Sequence, residues 1–311
     1  MPRIGQRRYF KEMRLQQLRG LCEIHRQGSF SAAAATLRIS RPAIWQQVRA
    51  LEQEFEASLV ERRGRKAELT GDGRLLIEIV SPLVTGFDGI KTAFKDRRGE
   101  LVRHLTVTTT ATLLAHELKA PVQQFLRQHP NVHLTLMDRP STGGINLLEE
   151  GQADLGVLGH LEEEQRHPLM EYESLFAYPF VVACRRDHEL VKRRNIRLAD
   201  IVRYPLVLTS EGSRSRTRVD RVFREYGLLH KRRVALDTSN SDLLTHYVEL
   251  GLGITVVPLS TQHPSYRRLH IHPVARWFGV EPVLMVRRKG AAELSHAAAF
   301  RAILRQALAT A

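Results

Sequence analysis

The chain is 311 residues long, 43% hydrophobic and 26% charged, which gives room for two or three domains with real cores and excludes a mainly disordered protein. No apolar run approaches the roughly 20 residues of a membrane span, and two distant cysteines, Cys22 and Cys184, make neither a disulfide framework nor a Cys-rich zinc site. The formal charge is +14, and residues 1–66 hold 14 basic against 6 acidic side chains while residues 104–311 hold 27 against 21, so the excess is concentrated at one end, where phosphate and above all nucleic acid is the expected partner.

The basic start, Met1-Pro-Arg-Ile-Gly-Gln-Arg-Arg8, leads into no apolar signal core, and a cytoplasmic location is expected. Residues 14–27 read as a helix, with Leu15, Leu18, Leu21, Cys22, Ile24 and His25 three or four apart. Gly28 ends it, and Ser29 or Ser31 can cap a short Ala-rich helix running to Leu37. After a turn at Arg38-Ile39, Ser40 is the N-cap of a third helix that reaches about Phe55. Pro42 is tolerated in its first turn because the missing N–H had no helical partner. Leu59 to Leu69 reads as a small hairpin with a basic tip. Thr70 caps a long helix over 71–96, where Leu76, Val80, Leu83, Phe87, Ile90 and Phe94 form a heptad seam. Such a seam needs a partner helix or its own domain, and Pro82, Gly86 and Gly89 weaken the helix. Residues 96–100 read as a hinge.

From Leu105 the pattern alternates. Strands are expected at Leu105–Thr110, His133–Met137, Leu155–Leu158, Phe180–Cys184, Leu206–Leu208, Ile254–Val257 and Val283–Val286. Helices are expected at Pro121–Gln128, Asn146–Glu150, Arg216–Tyr226, Asp242–Leu250 and Ala297–Ala309. This is α/β grammar, and about 200 residues suits two lobes. The predicted fold is mixed: an N-terminal all-α winged helix-turn-helix over 1–70, a linker or dimerisation helix over 71–98, and a two-lobed α/β domain over 104–311. Lobe I takes about 104–177 and 280–311, lobe II about 178–279.

Helix, short helix, turn, capped helix and basic hairpin together match a winged helix-turn-helix. The third helix would enter the major groove N-terminus first. Its first two turns present Arg41, Trp45, Gln46 and Arg49 outward, beside Ser40 and Pro42. Arginine can pair both guanine acceptors and glutamine can pair adenine. The hairpin tip, with Arg62, Arg63 and Arg65, can reach a phosphate or a narrow minor groove.

These residues carry a resemblance. Leu15-Gln-Gln-Leu18, Gly28-Ser-Phe-Ser-Ala-Ala-Ala34, Ile39-Ser40, Pro42-Ala43-Ile44, Leu51-Glu52, Leu59-Val-Glu-Arg62 and Leu69-Thr70 with Gly73 are similar to the DNA-binding head of LysR-type transcriptional regulators. Phe125–Pro130, Leu147–Gly156, Asp187–Leu190, Tyr204–Val207 and Leu250–Pro258 resemble segments of that family's sensing domain. The resemblance implies a dimerising linker helix, a periplasmic-binding-protein-like domain and homotetramers. As partners it implies double-stranded operator DNA, a small-molecule effector between the lobes, further copies of the chain and RNA polymerase; no cofactor and no membrane are expected. The recognition helix departs from the family's usual start: Arg41 stands for a glutamine, Trp45 for a serine and Gln46 for an arginine. The departures bear on which sequence is read. Arg65 matches the family's wing arginine.

Thr108-Thr-Thr-Ala-Thr112 is similar to the Thr-rich anion site of the sulfur-assimilation, cysteine-regulon branch, which points to Thr109, Thr110 and Thr112, although Leu113 replaces a glutamine. Gly159 and the loop bearing Ser210, Ser213 and Ser215 would face this strand from across the cleft, making a site for a small anion. The alternative is that threonines simply favour strands. His263, His270 and His272 suggest a metal only superficially, since no carboxylate or cysteine accompanies them. The arginines at 214, 216, 218, 221 and 224 read as a solvated face, with a series that favours an anionic ligand as the alternative. No nucleophile elbow, zinc-protease helix or phosphate loop occurs. An enzyme acting on an anion therefore lacks its machinery, and a plain solute-binding protein leaves the basic head unexplained.

Overall fold

The computed structural model describes residues 13–64, 66–159, 166–259 and 263–308. The chain divides into two compact units, one built from residues up to Leu101 with His167–Glu171 and Arg288–Leu294, the other from the rest.

The first unit contains α1 (Leu15–Gln27), α2 (Phe30–Leu37), α3 (Arg41–Glu54), β1 (Val60–Arg63), β2 (Lys66–Leu69) and α4 (Gly71–Arg97). The apolar face of α1 buries Leu18, Leu21 and Ile24. Gly28 stops α1 in the left-handed conformation, φ 60°, which glycine adopts without strain. Ser29 Oγ accepts from the Ala32 amide, and the buried Ala33 and Ala34 let α2 lie close against its neighbours. Ser40 Oγ accepts from the Ala43 amide at 3.3 Å, with Pro42 in the first turn of α3. Ile44, Val48 and Leu51 are buried on the inner face of α3. The β1–β2 hairpin is antiparallel with Arg63 opposite Lys66. It is tied to the helices by the Ala67 amide, which donates to Gly28 O at 2.9 Å. Thr70 Oγ1 accepts from Gly73 and donates to Ser58 O, which fixes where α4 begins. At Gly73 a Cβ would stand 2.0 Å from Leu59 O, so only glycine lets α4 cross the wing.

Helix α4 has two apolar faces. Leu76, Ile77, Val80 and Val84 are buried in the core of the first unit. Leu75, Ile79, Leu83, Phe87, Ile90 and Phe94 are exposed along another face. The heptad row read from the sequence is therefore corrected at its N-terminal end: Leu76 and Val80 pack inward, and Leu75 and Ile79 continue the open row. Gly86 and Gly89 have a packing reason. A Cβ at Gly89 would lie 2.9 Å from Ala292 Cβ, and one at Gly86 would lie 3.2 Å from Gly290 O.

The second unit contains β3 (His104–Thr109), α5 (Ala111–Ala115), α6 (Lys119–Gln128), β4 (His133–Asp138), α7 (Ser141–Glu149), β5 (Leu155–Gly159) and most of β6 (Met170–Cys184). It continues with α8 (Leu198–Ile201), β7 (Pro205–Thr209), α9 (Arg214–Glu225), β8 (Arg233–Thr238), α10 (Ser241–Glu249) and β9 (Thr255–Pro258). It ends with α11 (Ser265–Arg268), β10 (His270–Pro273), α12 (Ala275–Phe278), β11 (Val280–Arg288) and α13 (Ser295–Leu308). The larger sheet runs β10-β6-β11-β5-β3-β4, with β9 also on β6; β7 and β8 pair in parallel. One core gathers Leu105, Val107, Phe125, Val157, Met285 and Phe300. Another gathers Phe180, Leu206, Phe223, Ile254 and Phe278. Strand β6 feeds both, with Phe176 and Tyr178 packed on the first and Phe180 in the second. Two cores joined through a shared strand make two lobes. Among the described residues no helix is long and apolar enough to cross a membrane.

Candidate nucleic-acid interface and sensing cleft

The outward face of α3 is open. Ser40, Arg41, Pro42, Trp45, Gln46 and Arg49 are all exposed, while Ile44 and Val48 between them are buried. Trp45, half exposed at 50%, is a large apolar side chain with no core to fill. The Arg49 guanidinium lies 5.0 Å from the Trp45 ring centroid and 2.9 Å from Glu52 Oε2. Glu52 in turn accepts the Leu59 amide at 2.9 Å through Oε1, so one buried carboxylate links α3, Arg49 and the start of the wing. Arg62 and Arg63 are exposed on β1, and Arg63 approaches Glu68 at 3.5 Å. Arg65, the wing arginine, lies outside the described residues. An exposed helix start bearing Arg and Gln, next to a basic hairpin, can meet phosphates and base edges together.

Cys22, partly buried on α1 beside α4, has its thiol pushed up to about 12 by burial, and Cys184 in the other unit is pushed up to about 11. Burial thus disfavours the thiolate at both.

In the second unit, Thr108 and Thr109 end β3 with their hydroxyls fully buried and without hydrogen-bond partners among the described residues. Thr110 stands before α5 and Thr112 inside it, both half-buried. The first amide of α5, Ala111 N–H, is already taken by Asp138 Oδ1 at 2.8 Å. Gly159 ends β5, in the same sheet as β3, so it does not face the threonines from the opposite lobe. Its carbonyl accepts from Ser141 Oγ at 3.3 Å. Ser210 and Ser213 do lie on the second lobe. Ser213 caps α9, accepting from Arg216 N–H and donating to Thr209 Oγ1 at 2.8 Å. Ser215 Oγ donates to Glu281 Oε2 at 3.2 Å. Of the arginine series on α9, Arg216 is 3% exposed, held by Asp220 and by Thr209 O, so the reading of that series as a solvated face fails there.

The sequence reading missed the acidic character of this region. Glu281 is half-buried, and loss of solvent lifts its carboxyl above the usual range against the Ser215 hydrogen bond and the Arg218 and Arg214 charges. Tyr178 is also raised, by burial and by Glu117, Glu281 and Asp242 nearby. Asp242 is lowered, chiefly by its hydrogen bond from His263. No local spacing marks these residues as a group, because they converge from β11, β6, α10 and the segment after α5.

Glu281 gives a pH signature. A carboxyl whose folded pKa lies above its unfolded value stabilises the fold at low pH, and that stability is lost as pH rises from about 4.3 through the raised value. Glu281→Gln is therefore expected to raise the melting temperature at about pH 8 and to change it little near about pH 4. Calorimetry across that range checks this; a variant destabilised most at high pH contradicts it.

A helix-turn-helix head with an open recognition helix, in one chain with a two-lobed α/β domain, defines a DNA-binding regulator that senses ligands. The sequence pattern of the bacterial regulatory helix-turn-helix protein, lysR family, matches residues 15–74, and that of the LysR substrate binding domain matches residues 98–309. The chain belongs to the LysR family of transcriptional regulators. It is 26% identical over 287 residues to the HTH-type transcriptional regulator CysB of Burkholderia cenocepacia, covering 90% of this chain and 89% of that protein. It is 30% identical over 251 residues to the RuBisCO operon transcriptional regulator of Allochromatium vinosum, covering 79% and 80%. The crystal structure of full-length BenM matches at a TM-score of 0.55 and 23% identity, covering 94% of this chain and 96% of that one, a likeness of fold.

Proposed function

We propose that the protein controls transcription by docking α3 in the major groove of an operator, with Arg41, Trp45, Gln46 and Arg49 toward the bases. Ser40 and Pro42 set the helix start, and Arg62, Arg63 and Arg65 of the wing hold the backbone. The observation that carries this is the division of α3 into a buried apolar face and an open face of Arg, Trp and Gln. The exposed row on α4 supports pairing of two copies, and two such pairs would make a homotetramer that meets RNA polymerase at a cytoplasmic promoter.

The effector in this reading is a small anionic metabolite between the lobes. Thr109, Thr110, Thr112 and Gly159 belong to one lobe, Ser210, Ser213 and Ser215 to the other. The buried, unpartnered Thr109 hydroxyl supports a polar ligand there. Ligand occupancy would shift the spacing of heads and so the bend of the operator. A ligand that prefers the native state raises the melting temperature. A thermal-shift screen with sulfate, acetylserine, carboxylates and aromatic acids should yield a stabilising anion whose effect disappears in Thr110→Val. A screen in which only cationic or neutral compounds stabilise the protein overturns the anionic reading.

A further inference from the structure

We propose that His116, Asp242 and His263 form a binding site for a divalent transition-metal ion that ties the two lobes of the sensing domain together. His116 follows α5 in the first lobe; Asp242 begins α10 in the second, and His263 precedes α11 there. His116 Nε2 lies 3.3 Å and His263 Nε2 3.0 Å from the same oxygen, Asp242 Oδ1, and the three atoms all lie within 4.8 Å of one another. In a tetrahedral site with bonds of about 2.0–2.1 Å, neighbouring donor atoms stand about 3.3 Å apart. The two nitrogen–oxygen separations are already near that value. The imidazole centroids are 4.3 Å apart with planes tilted by 56°, so the rings are not stacked face to face.

The chemistry of the set favours zinc, nickel or cobalt over magnesium or calcium, because two of the three donors are imidazole nitrogens. A second observation points to a cation in the same region. Glu117, the residue after His116, is 4% exposed, and the neighbour of its carboxylate is the Tyr178 hydroxyl, with no cation paired to it among the described residues. Tyr178 also lies near Asp242 and Glu281, so the region gathers three carboxyl groups. A buried carboxylate without a counter-charge is costly, and a nearby divalent ion offsets that cost.

One contact works against ligation. The Ser265 amide donates to His263 Nδ1 at 3.1 Å, which puts the imidazole proton on Nε2, toward Asp242. A metal at Nε2 sends that proton to Nδ1, and the Ser265 amide must turn away. The exchange gives up that backbone hydrogen bond and the two imidazole–Asp242 hydrogen bonds for three metal–ligand bonds. Three protein ligands leave a fourth position open. An anionic oxygen of the effector fits there, and the ion supplies positive charge to a region holding Asp242, Glu117 and Glu281. That last step rests on the anionic effector proposed above; the metal site does not.

The test uses the full chain, stripped with a chelator, and titrates cobalt and zinc chloride without any effector. The expected result is one ion per chain, with visible cobalt absorption of a four-coordinate nitrogen–oxygen site. His116→Ala and Asp242→Asn should each weaken binding at least 100-fold while keeping the metal-free circular dichroism spectrum. His270→Ala, on the separate His270–His272 pair, should bind like the parent. Absence of saturable binding overturns the site, as does binding of parent strength in both His116→Ala and Asp242→Asn. Because no effector is present, failure here is distinct from failure of the anion screen.

Discussion

A chain carrying Leu83→Glu and Ile90→Glu is expected to be monomeric, with operator affinity lowered about 100-fold or more. Both side chains are well exposed on α4, at 63% and 58%, in a row that extends from Leu75 to Phe94. An apolar row of that length on a helix marks a partner surface. Two glutamates there place charge where the partner helix would pack, and removing the charge from water without a counterion is strongly unfavourable. The loss in DNA binding follows from linkage of two heads: a second head binds at high effective concentration, commonly worth about 10²–10⁴ in affinity. The inner face of α4, Leu76, Ile77, Val80 and Val84, is untouched, so the head should keep its far-ultraviolet spectrum. Sedimentation with a duplex-binding assay checks both parts. A double variant that remains dimeric and binds DNA normally removes α4 as the pairing element.

Recognition-helix substitutions should separate affinity from sequence choice. Arg41→Ala is expected to cost about 1–3 kcal/mol on the preferred duplex and much less on unrelated DNA, as befits loss of a base contact. Trp45→Ala should relax the preference at one or two positions, since an exposed indole can pack on a thymine methyl or give one N–H but cannot copy a serine. It also frees the Arg49 guanidinium from its stacking contact, worth about 0.5–1 kcal/mol at an exposed site. Arg62→Ala should weaken all sequences alike. Selection from random duplexes, repeated with each variant, reads the difference; if Arg41→Ala and Arg62→Ala have the same profile, the assignment of bases to α3 and backbone to the wing is wrong.

The head was legible in the sequence because each signal there is local. Gly28 as a stop, Ser40 as a cap and Thr70 as a cap lie within four residues of the groups they satisfy. Binary patterning then fixed which face of α3 is buried. The register of the open row on α4 was less legible, because one helix carries two apolar faces and a single heptad threads residues from both. In the sensing domain, α5 was missed because a run of threonines reads as strand, and β8 because Arg233–Thr238 is half-exposed and charged at its ends. The start of α7 was missed because Gly143 and Gly144 argue against helix; a Cβ at Gly144 would lie 2.8 Å from Leu158, so packing overrides propensity there. The His116–Asp242 contact joins residues 126 positions apart, and no spacing rule reaches that far.

The account depends on the head binding duplex DNA through a set of basic contacts. The direct measurement is the affinity of the full chain for its selected duplex and for a scrambled one, followed from about 50 to about 200 mM salt. With six to ten phosphate contacts, log affinity should fall linearly with log salt, by roughly 10³–10⁵ over that range, with the selected duplex bound more tightly throughout. A profile flat in salt, or equal affinity for the two duplexes, contradicts it.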